Sequence, residues 1–158
     1  MNIMLSRIDE RLIHGQVMTR WISGLFVTRI ILIDDQIAKD EFMYEVLMLS
    51  APVGITVLVL SVDDALKLFR EDSSDEKTLL LFKDVRYVKA LLDKDFNVGR
   101  LNIGNIGSSP IRKGITREVF MSDEEIEIVK ALCSGGIYVY IQKLPTDKEV
   151  DIRTRLQK

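Results

Sequence analysis

Short, nearly continuous apolar runs alternate along this chain with segments of helical period, which predicts an α/β fold. The expected architecture is one domain, residues 1–158, with a mostly parallel open sheet, helices on both faces and an additional strand region near the C-terminus. Parallel strands covered on both faces read as unbroken Val/Ile/Leu runs, and that is the pattern here. The length of 158 residues, 47% of them hydrophobic, suits one packed core, and neither an internal repeat nor a long linker divides it.

In chain order, Ile3 to Leu5, Arg29 to Ile33, Ile55 to Leu60, Thr78 to Phe82 and Leu101 to Ile103 read as strands. Gly15 to Ser23, Lys39 to Ser50, Val62 to Glu71 and Val85 to Lys94 read as the helices between them. Ser61 and Asp84 have the side chains of N-caps, and Ser122-Asp123-Glu124-Glu125 fits a capping box ahead of Ile126 to Leu132, a helix that Gly135 and Gly136 end. Between Ile103 and Ser122 the breakers Pro110 and Gly114 argue against a full crossover helix, and Arg117 to Phe120 reads as a short strand. Ile137 to Ile141 alternates aliphatic residues with Tyr138 and Tyr140, as expected of a less buried strand near a sheet edge. The charged tail, 146–158, is either a short helix or flexible.

A formal charge of −2 gives no basic footprint, so no nucleic-acid partner is expected and a small molecule or another protein is. One cysteine, Cys133, excludes an internal disulfide and sits in an apolar helical run as a small hydrophobe. The N-terminal residues lack the basic stretch and apolar core of a secretory signal, and no run approaches the roughly 20 apolar residues of a membrane span. The expected location is the cytoplasm.

Ligands of open parallel sheets bind beyond the carboxyl ends of the strands, where successive connections diverge to opposite faces. Of the loops there, Arg7-Ile8-Asp9-Glu10-Arg11-Leu12-Ile13-His14-Gly15-Gln16-Val17 is the richest, with the only imidazole of the chain, two guanidiniums and two acids. A lone histidine is more often structural than catalytic, but His14 follows a strand and opens a helix, where free N–H groups and the positive end of the dipole favour a phosphate on the ring. Gly15 removes a side chain at a point of close approach, and Arg11 offers a planar donor fork to phosphoryl oxygens or to a partner's carboxylate. A neutral imidazole has one nucleophilic nitrogen, and phosphoryl transfer needs mainly alignment and charge stabilisation, which a helix N-terminus and an arginine supply without a metal.

This run, together with Leu32-Ile33-Asp34-Asp35, Leu101-Asn102-Ile103-Gly104-Asn105-Ile106-Gly107 and the Gly136-to-Pro145 strand, resembles the IIB component of the mannose/fructose/sorbose family of the bacterial sugar phosphotransferase system. The resemblance covers nearly the whole chain. It implies a phosphohistidine–sugar phosphotransferase in which His14 takes phosphate, on Nδ1, from a IIA component and delivers it to a sugar carried by the IIC and IID membrane components. That would place the chain peripherally on the inner face of the membrane. It also implies Arg11, Gly15 and Gln16 at the phosphate or partner interface, and no cofactor beyond the transient phosphohistidine.

Arg7, Asp9, Asp34 and Asp35 are supporting candidates that could orient Arg11 or shape the loop, although acids at strand ends commonly cap turns. No metal is assigned. The Gly104 to Gly107 loop reads as well as a simple turn as a phosphate-side loop, and Arg112 and Lys113 as a solvated basic loop. Trp21 and the methionines read as core. Two other readings stay open: a receiver-like module phosphorylated on an aspartate after its central strand, and a non-enzymatic binding domain. Ser61 follows Ile55 to Leu60, taken here as the central strand, which weakens the first. The identity of the sugar is not legible, and a homo-oligomer is left open.

Overall fold

Every connection between consecutive parallel strands here is a crossover, and this determines which loops meet. The computed structural model describes residues 1–156. Strands β1 (Asn2–Asp9), β2 (Arg29–Ile33), β3 (Thr56–Leu60), β4 (Lys77–Phe82), β5 (Arg100–Asn105), β8 (Tyr138–Ile141) and β9 (Val150–Asp151) form one sheet in the order β3-β2-β4-β1-β5-β8-β9. All pairs are parallel except β8 with β9. The expected α/β class is the one observed. The central strand is β1, however, and Ile55 to Leu60 becomes the edge strand β3, whose burial alternates because one side is half open.

Helices α1 (Gly15–Leu25) and α2 (Glu41–Ser50) cover one face, where Met18, Trp21, Ile22 and Leu47 pack on Leu5, Ile30, Leu32, Val57, Leu79 and Leu81. Helices α3 (Val62–Glu71), α4 (Val85–Asp93) and α5 (Asp123–Ser134) cover the other, where Ala65, Val88, Leu91, Val129 and Leu132 meet Ile31, Ile33, Leu80, Phe82, Ile103 and Val139. Residues 30–33 of β2 and 79–82 of β4 have no exposure at all, which is why those strands read as continuous apolar runs.

The boundaries shift where local chemistry intervenes. The helix expected from Lys39 is a 3₁₀ turn, Ile37–Lys39, followed by α2, because the Asp40 side chain accepts from the Met43 N–H and starts a new helix. Helix α1 runs two residues past Ser23, to a left-handed cap at Phe26. Ser61, Asp84 and the Ser122–Glu125 box cap α3, α4 and α5 as expected.

The segment between β5 and α5 holds a two-residue hairpin, β6 (Lys113–Gly114) with β7 (Phe120–Met121), and Val119 bridges to Ile106. The expected strand at Arg117 to Phe120 is therefore shorter and displaced towards α5. Tyr140 is buried rather than edge-exposed, since β9 lies outside β8 and the Arg100 guanidinium stacks 4.7 Å over its ring. The tail contributes β9 and the short helix α6 (Arg153–Leu156); positions 157 and 158 of that expectation lie outside the described residues. Among the described residues no helix is long and apolar enough to cross a membrane.

Burial separates two aliphatic truncations. Ile31→Ala, in the doubly covered centre, is expected to cost about 2–5 kcal/mol, and Leu49→Ala, on the exposed side of α2, to stay within about 0.5 kcal/mol. Urea unfolding midpoints check the contrast.

Candidate active site

The turn after β1 is tight: the Leu12 N–H donates to the Asp9 carbonyl at 3.0 Å, and Leu12 takes a left-handed φ of 60°. A leucine in that region is costly, and burial of Leu12 and Ile13 holds it there. His14 follows in an extended conformation as the N-cap of α1, and its side chain makes no capping hydrogen bond. Of α1 to α5, α1 alone has neither a side-chain cap nor an acid in its first turn. Its first N–H groups and the positive end of its dipole are thus uncompensated, at the residue that bears the imidazole.

The His14 Nδ1 atom is buried and has no hydrogen-bond partner among the described residues. Gly15 has φ 59°, and a Cβ there would meet open space, so its value is conformational rather than the close approach expected from the sequence. Gln16 is exposed in the first turn of the helix.

Arg7 has no exposure. One of its terminal nitrogens donates to Asn102 Oδ1 and to the Gln142 carbonyl (3.1 Å), and the other to Asp9 Oδ2 (3.2 Å). The guanidinium lies 5.4 Å from the Trp21 ring centre, and Trp21 Nε1 donates to the Lys143 carbonyl at 2.9 Å. Burial pulls the Arg7 pKa below the usual arginine value, against the opposing pull of Asp9. The other oxygen of Asp9, Oδ1, accepts from the Arg11 amide (3.0 Å) and from Arg11 Nε (3.3 Å). Asp9 therefore orients Arg11, while Arg7 is too deep to reach a phosphate. The central strand ends in Asp9, but both carboxylate oxygens are engaged and the residue is 1% exposed, which disfavours it as a phosphorylated aspartate.

Asp34 and Asp35 do not join this cluster. Asp34 Oδ1 accepts from the Gln36 and Ile37 N–H groups (3.0 and 2.9 Å), and Asp35 Oδ1 accepts from the Val62 N–H (2.8 Å), tying the end of β2 to the start of α3. They line a neighbouring cleft of about 420 Å³ with Lys83, Arg86, Tyr87 and Glu10.

Glu10, Arg112 and Glu125 form a bridge that the sequence did not suggest. Arg112 is not a solvated loop residue: it binds Glu125 Oε1 through Nε (2.9 Å), Glu10 Oε2 through Nη2 (2.9 Å), and the Gly107 carbonyl through Nη1 (2.9 Å). The Gly107 N–H donates in turn to Glu10 Oε1 at 2.7 Å. The start of the His14 loop is thereby pinned to α5. Asn102 was not expected here, and Gly104, read as the start of a turn, lies inside β5 instead. The only signal for them was their place in the motif-like Leu101-to-Gly107 run, and Arg112 lies 102 residues from Glu10, beyond any periodicity.

A family model, the PTS system sorbose subfamily IIB component, matches residues 3–158. The chain belongs to this family. It is 32% identical over 152 residues to the fructose-specific EIIB component of Bacillus subtilis (strain 168), covering 96% of this chain and 93% of that protein. It is also 32% identical to the mannose-specific EIIAB component of Escherichia coli (strain K12), covering all of this chain and half of that one. The crystal structure of the IIB domain of the sorbose permease from Klebsiella pneumoniae superposes with a TM-score of 0.92 at 30% identity, covering 99% of this chain and 96% of that one. The α/β architecture of this IIB component is thus that of its family.

Burial raises the Glu125 pKa, but hydrogen bonds from Arg112 and Ser122 outweigh it and hold the carboxyl below the usual glutamate range. Its stabilisation is complete above the unfolded value of about 4.3 and is lost as pH falls through the lower folded pKa. Glu125→Gln should lower stability at pH 7 and flatten the loss on acidification below about pH 4. Thermal unfolding across pH 2–7 measures both.

Proposed function

We propose that His14 is a phosphocarrier residue: it accepts a phosphoryl group from a phosphohistidine of a IIA component and passes it to a sugar presented by the IIC and IID membrane components. The observation that carries this reading is the pairing of the only imidazole with an uncapped helix N-terminus and a tethered arginine in one turn. In the first half-reaction the lone pair of the ring nitrogen attacks phosphorus as the donor N–P bond breaks, and the donor imidazole takes back its electron pair. In the second, the oxygen of a sugar hydroxyl forms the new P–O bond as the His14 N–P bond breaks, the ring takes back its electron pair, and the hydroxyl proton passes to the freed imidazole. Arg11 and the first N–H groups of α1 stabilise the charge on the equatorial oxygens.

The family pattern puts the phosphate on Nδ1. That atom is buried here, so the ring turns to expose it before transfer, and it has no hydrogen bond to break in doing so. A IIA partner is supported by the relative whose name joins IIA and IIB in one protein. Relatives of equal identity carry the names of different sugars, fructose and mannose, which fits sugar recognition by the membrane components rather than by this chain. Working with those components places the chain in the cytoplasm, docked peripherally on the membrane.

Incubation with phosphorylated IIA should give one acid-labile phosphate per chain, mapped to His14 and absent from His14→Ala. Stoichiometric acid-stable phosphate on a serine or an aspartate would overturn the mechanism.

Arg11→Lys should slow transfer by about tenfold or more, the loss of one charge-assisted hydrogen bond, because an ammonium cannot reproduce the guanidinium fork. Lys113→Ala, at an exposed hairpin residue paired with Asp123, should leave the rate unchanged. Rapid-quench rates compare the two.

A further inference from the structure

The buried cation beneath the His14 loop has a socket too specific for packing alone. Four elements build it: Asp9 at the end of β1, Asn102 on β5, the Gln142 carbonyl after β8, and the Trp21 ring on α1. A fifth feature is a missing side chain. A Cβ at Gly104 would sit 2.1 Å from Arg7 Cζ, so only glycine at that position in β5 leaves room for the guanidinium.

We infer that Arg7 is a positioning residue that acts through Asp9 on Arg11, and that Asn102 and Gly104 are present to seat it. Arg7 neutralises and orients a carboxylate that is 1% exposed, so that Asp9 Oδ2 is held by the buried cation and Oδ1 is left to grip the Arg11 amide and Nε. Arg11 is itself partly exposed, with 37% of its side-chain surface open, and an untethered arginine there would sample many rotamers. The tether removes that freedom before any ligand arrives, and pre-organisation of this kind speeds a step whose catalysis is mostly alignment.

The inference rests on the reading of Arg11 as the arginine that faces the phosphoryl group, so its test includes a readout that needs no phosphate. In the full chain, the Arg11 Nε–H should give an NMR signal protected from exchange with water. Arg7→Lys and Gly104→Ala, one removing the fork and the other displacing it, should both abolish that protection, as should Asp9→Asn. Asn102→Ala, which deletes one acceptor only, should weaken it and remains informative if either larger change prevents folding.

The transfer rate to His14 from phosphorylated IIA should fall about tenfold in Arg7→Lys. The double variant with Asp9→Asn should be no slower than the slower single one, because both changes break the same link. Folded Arg7→Lys and Gly104→Ala proteins that keep the protected Arg11 signal and the wild-type rate would overturn the inference. A wild-type chain that takes no phosphate, yet loses the Arg11 signal on Arg7→Lys, would sink the phosphocarrier reading and leave the positioning role standing.

Discussion

A guanidinium without access to water must find its counter-charge and its acceptors inside the protein, and the seating of Arg7 is the constraint on which the site depends. Its cost is high, and its Nε is still without a partner among the described residues. Asp9 supplies the charge, Asn102 and Gln142 supply acceptors, and Gly104 supplies the space. Because Asn102, Gly104 and Gln142 come from the two strands beyond the central one, the socket around the Arg7–Asp9 pair is complete only once β1, β5 and β8 are in register.

The parallel sheet adds a second economy. All its crossovers return the chain to the same edge, so the carboxyl ends of β1, β2 and β4 lie together there with the N-termini of α1, α2 and α4. Most of these helix starts are capped by the chain's own acids. The start of α1 is not, and it follows a strained turn at Leu12 and the positive φ of Gly15. Polarity left unspent and backbone strain coincide at the histidine, and packed neighbours hold the strain.

Elsewhere at that edge, charge is used up in bracing. Arg112 is held by Glu10 and Glu125, and its pKa is raised above the usual arginine value by the Glu125 hydrogen bonds first and by those of Glu10. The result is a loop fastened on both sides: Asp9 holds its start to the sheet, and Glu10 holds it to the β5–α5 connection. Beyond these anchors the head of Arg11 and Gln16 are exposed and His14 is half-buried, a small set of polar groups on a rigid frame.

By itself the sequence determined the class of fold, most of the helix starts and the loop that carries the histidine. Each is a local property: apolar runs mark strands buried on two faces, Ser61, Asp84 and Ser122 mark caps, and one histidine beside an arginine singles out its loop. Only the tertiary structure decided which strand is central, because strand order depends on crossovers whose direction no local pattern encodes. It also separated acids that look alike in sequence. Asp9 orients the arginine, while Asp34 and Asp35 cap backbone at the next strand end. The purposes of Asn102, Gly104 and Arg112 were beyond sequence for the same reason: each is defined by a partner about a hundred residues away, and a side chain's burial and counter-charge exist only once the chain has closed around it.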